Sequence, residues 1–216
     1  MTKTTALIAL AGAATFAAAD VIATYSYTDL DGAFDGSTFT ADGASNNDLA
    51  STGDVSLLVG SKGTAEFTTG FAGLAPADVA ITMDISNVTA TTATGVGSVI
   101  LTDTDGDTIS AAFSGEWNII NPFGFMFFSG SSSDYAFTDN GQLDGRFNGT
   151  LGSFAISNLL NQFYDGAISL LLQTPGGFAT VFDGVSTQAD GLLVPTPGVL
   201  AIAGVGLAGM ARRRRD

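Results

Sequence analysis

Apolar and polar residues alternate along several stretches of the chain, and that alternation predicts most of its elements. The clearest run is 79–86, where Val79, Ile81, Met83 and Ile85 alternate with Ala80, Thr82, Asp84 and Ser86. A period of two sets one group against a core and the other in water, as a strand does and a helix does not. Residues 21–28 alternate in the same way. A polar, Gly- and Asp-rich loop region spans 32–56, and shorter strands are expected near 37–41 and 55–59. Residues 123–128, 135–138, 167–173 and 178–182 read as further strands, with 184–192 leading out as linker.

The strongest hairpin lies between Ser98 and Asn118. Ile109, Ala111, Phe113 and Trp117 share one face there, and Thr108, Ser110, Ser114 and Glu116 the other. A two-residue Asp105-Gly106 turn would set Leu101 opposite Ser110, apolar against polar. A three-residue loop of Thr104, Asp105 and left-handed Gly106 sets Leu101 opposite Ile109 and Val99 opposite Ala111, so that register is expected, with a bulge at Gly106. One segment breaks the pattern. In 153–164, Ile156, Leu159, Leu160 and Phe163 recur at i, i+3, i+4 and i+7, which predicts a short helix capped by Ser153 or Ser157 and stopped at Gly166.

Asp-Gly dipeptides stand at 31–32, 35–36, 42–43, 105–106, 144–145, 165–166, 183–184 and 190–191, and Asn-Gly at 140–141 and 148–149. Each pairs a residue tolerant of positive φ with a side chain that caps its own backbone, so each is read as a tight turn between strands. The fold class that follows is all-β, an antiparallel β-sandwich or barrel with one short helix.

Composition changes this picture at the two ends. Lys3, an apolar run from Ala6 to Ala11 and the small-x-small pair Ala17 and Ala19 before Asp20 read as a secretory signal peptide, 1–19. Between Asp20 and Val194 the chain holds 20 acidic residues and two basic ones, Lys62 and Arg146, a net charge of −18. Such a polyanion repels nucleic acid and anionic lipid and attracts divalent cations. The chain has no cysteine and no histidine. Disulfides are therefore excluded, as are histidine acid–base chemistry, the Ser-His-Asp and Cys-His nucleophiles and the usual zinc sites.

Asp103, Asp105 and Asp107 stand at the spacing with which calcium loops converge carboxylates. Thr108 and Ser114 then occupy the places of an EF-hand's glycine and glutamate. A hairpin turn explains the same aspartates, and a weak calcium site, filled only outside the cell, is the alternative. Glu66 and Glu116 are the only glutamates, and nothing in the sequence pairs either with another carboxyl, so no catalytic residue is assigned and the domain is read as non-enzymatic. Trp117, with Phe123, Phe125, Phe127 and Phe128, forms either a platform for stacking on sugars or an alternating core stripe. Asn87 and Asn148 head glycosylation sequons.

The last 23 residues have three parts in order: Val194-Pro195-Thr196-Pro197, a small-residue apolar run over 198–211, and Arg212, Arg213, Arg214 and Arg215 before Asp216. The run is shorter than the roughly 20 residues of a stable spanning helix, and the arginines favour the cytoplasmic side. Together these parts resemble the PEP-CTERM sorting signal of Gram-negative bacteria, with Thr196 where the commonest pattern has glutamate. The resemblance implies an exosortase-type processing enzyme as partner and transient contact with the inner membrane. It also implies release to the cell surface or extracellular matrix, alongside exopolysaccharide. The expected organisation is a signal peptide (1–19), an acidic β-domain (20–190), a linker with the sorting motif (191–197), an apolar sorting helix (198–211) and a basic cytoplasmic tail (212–216). A carbohydrate-binding module and a carboxylate-dependent hydrolase are the alternative readings of the domain.

Overall fold

A computed structural model of the chain describes residues 20–196 other than 47, 75, 121–122, 141–143 and 160–162. The signal peptide with Ala17 and Ala19, the apolar run, Pro197 and the four arginines therefore lie outside the described residues. Among the described residues twelve strands follow one another: β1 (Ala23–Phe34), β2 (Thr38–Asp42), β3 (Thr52–Leu57), β4 (Gly63–Phe67), β5 (Asp78–Ser86), β6 (Thr92–Thr102), β7 (Thr108–Ile120), β8 (Phe125–Thr138), β9 (Arg146–Asn148), β10 (Ser153–Ala155), β11 (Tyr164–Gln173) and β12 (Phe182–Pro195). Every pairing is antiparallel.

Eight strands close a barrel in the order β1-β2-β5-β6-β7-β8-β11-β12, and the pairing of β12 with β1 seals it. Between the two architectures left open by the sequence, the barrel is the one formed. Strand β1 is long enough to serve two neighbours on one edge, β3 along 23–28 and β2 along 31–34. The β3–β4 hairpin therefore branches from the barrel wall. The short β9–β10 ribbon joins it through a bridge between Glu66 and Leu151.

Alternation places the core inside the cylinder. Trp117 is fully buried and meets Phe39, Phe128 and Phe178 at ring-centroid distances of 5.5, 5.3 and 5.2 Å, while its Nε1–H donates to the Met83 sulfur at 3.1 Å. One rung of the ladder shows how rings of this size fit. Gly95, Gly115, Gly130, Ile168, Gly191 and Tyr25 pair in succession across six strands. Four positions of that rung give up their side chains, and neighbouring rings take the space: a methyl on Gly191 would run into the Tyr25 ring, and one on Gly95 into Met83 and Phe128. A second aromatic group, Tyr27, Phe67, Phe71, Phe147 and Phe154, fills the space under the β3–β4 hairpin and the β9–β10 ribbon.

The expected hairpin register holds, with Leu101 opposite Ile109 and Val99 opposite Ala111, and Gly106 has φ of 101°. The expected short helix does not form among the described residues. Ser153–Ala155 is strand β10, and a single 3-10 turn, Ile156–Asn158, follows it. Phe154 stacks on Phe147 across the ribbon, which fixes the backbone as extended, and Phe163 is 77% exposed, so no continuous apolar helix face exists. The turn carries no side-chain cap, and Ser153 Oγ is instead engaged by the Arg146 guanidinium at 2.6 Å. A 3-10 turn over 177–179 overlaps the strand expected over 178–182, and residues 184–192, expected as linker, belong to β12. Paired with both β1 and β11, that last strand carries the domain through Pro195.

Strands β1 and β12 place the chain's way in, at Ala23, and its way out, at Pro195, at one end of the barrel. The β6–β7 turn lies at that end as well, because Ser132 on β8 pairs with Gly166 on β11 and Thr138 pairs with Thr108. The β7–β8 turn lies at the far end. No helix among the described residues is long and apolar enough to cross a membrane.

Candidate metal centre

The β6–β7 turn is organised by one carboxylate. Asp103 is fully buried, and its Oδ1 accepts the backbone N–H groups of Asp105, Gly106 and Asp107 at 3.0, 2.8 and 2.9 Å. This arrangement is local: a short acidic side chain captures the N–H groups of the turn that follows it. Its Oδ2 reaches outside the turn and accepts Asn148 N–H at 2.7 Å. Asn148, at the end of β9, returns the contact by accepting Thr104 N–H at 3.0 Å through its carbonyl. The β9 strand is thereby laid against the turn.

Carboxyl oxygens of Asp103, Asp105 and Asp107 lie within 4.8 Å of one another. Asp107 is buried, and its Oδ1 accepts Asn140 N–H at 2.8 Å. The side-chain amide of Asn140 donates to the Asp105 carbonyl. The Asn148 amide donates to Asp144 Oδ2 at 2.6 Å and to Asp105 Oδ2 at 3.3 Å. Asp105 Oδ1 is buried and has no hydrogen-bond partner among the described residues. A buried carboxyl oxygen without a partner is costly, so this atom is one that a cation could satisfy.

The electrostatics agree with the geometry. Burial, reinforced by the neighbouring Asp105 carboxyl, pushes Asp103 up to about 7 even though the turn N–H groups and Asn148 N–H favour its ionised form. Asp107 is raised too, chiefly by burial and then by the charges of Asp105, Asp139 and Asp144, against the pull of Asn140 N–H. A proton shared within such a group, or a divalent cation, would relieve the repulsion. The donor set fits a hard, oxygen-seeking cation in part: Asp105 Oδ1 is unused and Asp103 Oδ2 accepts one N–H, while Asp103 Oδ1 is saturated. Calcium takes 6 to 8 oxygens, so carbonyls or water would have to complete its shell, as befits weak binding. The Asp103, Asp105 and Asp107 cluster is thus brought together as the sequence spacing suggested.

Asp144 and Asn140 also belong to this node, although the sequence gives them only as turn residues, and Asn148, which heads a sequon, spends its amide on two aspartates. No local signal could have found them, since they lie some forty residues from the turn. Asn87, which heads the other sequon, is exposed at the β5–β6 turn.

Trp117 is not a sugar-stacking residue. It stands on the same face of β7 as Ile109, Ala111 and Phe113, and closure of the barrel encloses that face completely. Phe128 is enclosed with it, whereas Phe123, Phe125 and Phe127 are exposed outside. Glu116 is exposed on the outer face of β7. Glu66 is exposed on β4 directly across from Asp54, whose Oδ2 accepts Ser56 Oγ–H at 3.0 Å, and both carboxyls line a groove of about 570 Å³. Of the sorting motif, Val194 and Pro195 are half-buried at the end of β12, and Thr196 N–H donates to the Phe163 carbonyl at 2.9 Å.

The described chain is thus a closed antiparallel β-barrel with an aromatic core and an aspartate cluster at one end, able to hold a metal ion. No protein-family model, no curated protein and no solved structure matches it.

Proposed function

We propose that the chain is an exported protein of the cell surface or extracellular matrix, and that its acidic barrel works without catalysis as a module stiffened by weakly held calcium. The observation that carries the calcium reading is Asp105 Oδ1, buried and unpartnered beside two carboxyls already oriented by backbone N–H groups. Bound there, calcium would supply only charge neutralisation, tying the β6–β7 turn to Asp144 and β9. Weak affinity suits an extracellular site, where the ion is plentiful. Export rests on the leader with Ala17 and Ala19. Sorting rests on Val194 to Pro197 and Arg212 to Arg215, with an exosortase-type enzyme as processing partner and only transient contact with the inner membrane. The net charge of −18 over 20–194 argues against a nucleic-acid partner.

Thermal unfolding followed by Trp117 emission tests the calcium reading. At a concentration ten times the dissociation constant, calcium adds about 1.4 kcal/mol, or roughly 3–6 °C in Tm for a domain of this size. Asp105→Asn should abolish the rise. An equal rise in Asp105→Asn, or in sodium chloride of matched ionic strength, would reduce the effect to general screening of a polyanion and refute the site.

A further inference from the structure

At the barrel end opposite the aspartate node, the outer face of β8 changes character along its length. Its successive outward residues are Phe125, Phe127, Ser129 and Ser131, all exposed. The two rings lie stacked, with centroids 6.4 Å apart and planes 29° from parallel. Both are exposed by about two-fifths, 38% and 40%. A third ring, Phe123, is 65% exposed, and the Gln173 amide fixes its backbone beside Phe125 by donating to the Phe123 carbonyl at 3.0 Å. Phe125 pairs with Ile120 and Gln173, and Phe127 with Asn118 and Leu171. Shallow grooves flank the rings on both sides. One, of about 390 Å³, is lined by Glu116, Asn118 and Ser129, and the other, of about 380 Å³, by Gln173, Ser186 and Gln188.

We infer that this strip binds an uncharged polysaccharide, laid along β8 with sugar ring faces on Phe125 and Phe127 and hydroxyls against the flanking amide and hydroxyl groups. Two features select that occupant. The strip joins apolar ring faces to a polar margin of amides and hydroxyls, matching a chain whose rings have C–H faces and hydroxylated edges. Charge removes the competitors: with 20 carboxylates against two basic residues over 20–194, the surface repels anionic polymers, anionic membranes and a second copy of itself. A cationic partner would seek the carboxylates, whereas Glu116 is the single charged residue lining these two grooves. The inference does not depend on calcium, because the node occupies the other end of β7.

Depletion of the full chain from solution by microcrystalline cellulose, insoluble xylan and amylose tests it. The chain should bind at least one of the three, and Phe125→Ser/Phe127→Ser should weaken that binding by about ten-fold or more per ring. Val96→Ser, which removes another exposed apolar side chain from the outer face of β6, should bind unchanged. Phe127→Ser alone, with an unaltered melting curve, keeps the test valid if the double variant folds poorly. Failure of all three polysaccharides to deplete the chain would overturn the inference, as would undiminished binding by the phenylalanine variants. So would flotation with phosphatidylcholine vesicles, or a monomer–dimer equilibrium abolished by Phe127→Ser, each of which would give the strip to a different occupant.

Discussion

Asp103 gives the barrel a pH dependence opposite to ordinary acid denaturation. Its folded pKa of about 7, against an ordinary value of 3.8, means that the native state holds this proton more tightly than the unfolded chain does. The stabilisation is therefore complete below about pH 4 and is lost progressively as pH rises towards 7. A difference of some three units corresponds to at most about 4 kcal/mol. Asp42, Asp78 and Asp107 are also raised, chiefly by burial, and add to the fall, while Asp35, held down by the N–H groups of Thr38 and Ser37, opposes it. Comparison with Asp103→Asn isolates one group. The amide oxygen can still accept the three turn N–H groups, but its nitrogen faces Asn148 N–H, so the variant lies about 1–3 kcal/mol below the protonated native state and lacks this group's pH dependence. Urea denaturation in calcium-free buffer, followed by Trp117 emission between about pH 4 and pH 7.5, should show the native chain well above the variant in acid and converging on it towards neutrality. Added calcium should flatten the native curve by taking the place of the proton. Parallel curves for the two proteins would show that Asp103 carries no raised pKa and that its turn is only a turn.

Two further predictions address the core and the tail. Gly191→Ala forces a methyl against the buried Tyr25 ring, which has no exposed side to move towards, so overpacking should cost about 1–3 kcal/mol and lower Tm by several degrees. An unchanged melting curve would show that the glycine rung is not what seats the ring. For sorting, an epitope placed after Asp216 should be lost from the mature protein while one placed after Asp20 appears outside the cell. Retention of both in the inner membrane would reduce the tail to an anchor.

Period-two alternation made the strands and the β6–β7 register legible, because a one-residue slip there would have buried Ser110 in place of Ile109. Asp-Gly dipeptides were more ambiguous than their turn chemistry suggests. Those at 35–36, 42–43, 105–106 and 144–145 do lie in turns or at strand ends, but 31–32, 165–166 and 190–191 lie inside β1, β11 and β12. There glycine clears room for a side chain of the neighbouring strand: Thr187 against Gly32, Tyr135 and Ser132 against Gly166, and Tyr25 against Gly191. The pair at 183–184 sits where the β1–β12 register shifts, with Gly184 at φ of 68°. Reading all of them as turns cut β1 short and turned most of β12 into linker. The node was half legible, since three of its aspartates are neighbours in sequence while Asp144, Asn140 and Asn148 arrive only through tertiary folding. Trp117 was assigned its correct face, and only closure of the sheet into a cylinder decides that this face is enclosed.

The pairing of β12 with β11 would limit where a tail of this kind could be cut. Val194 and Pro195 are still paired with Asp165 and Tyr164, and the next residue, Thr196, is bonded to Phe163. The motif that resembles a cleavage signal is thus stitched to the lip of the barrel, with no free leash before it. An enzyme working at Pro195-Thr196-Pro197 would have to act on the chain before β12 docks on β11, or peel back the final rungs to reach its bond. If the tail is such a signal, folding and release would become a race, and a barrel that forms early would shield the bond to be cut.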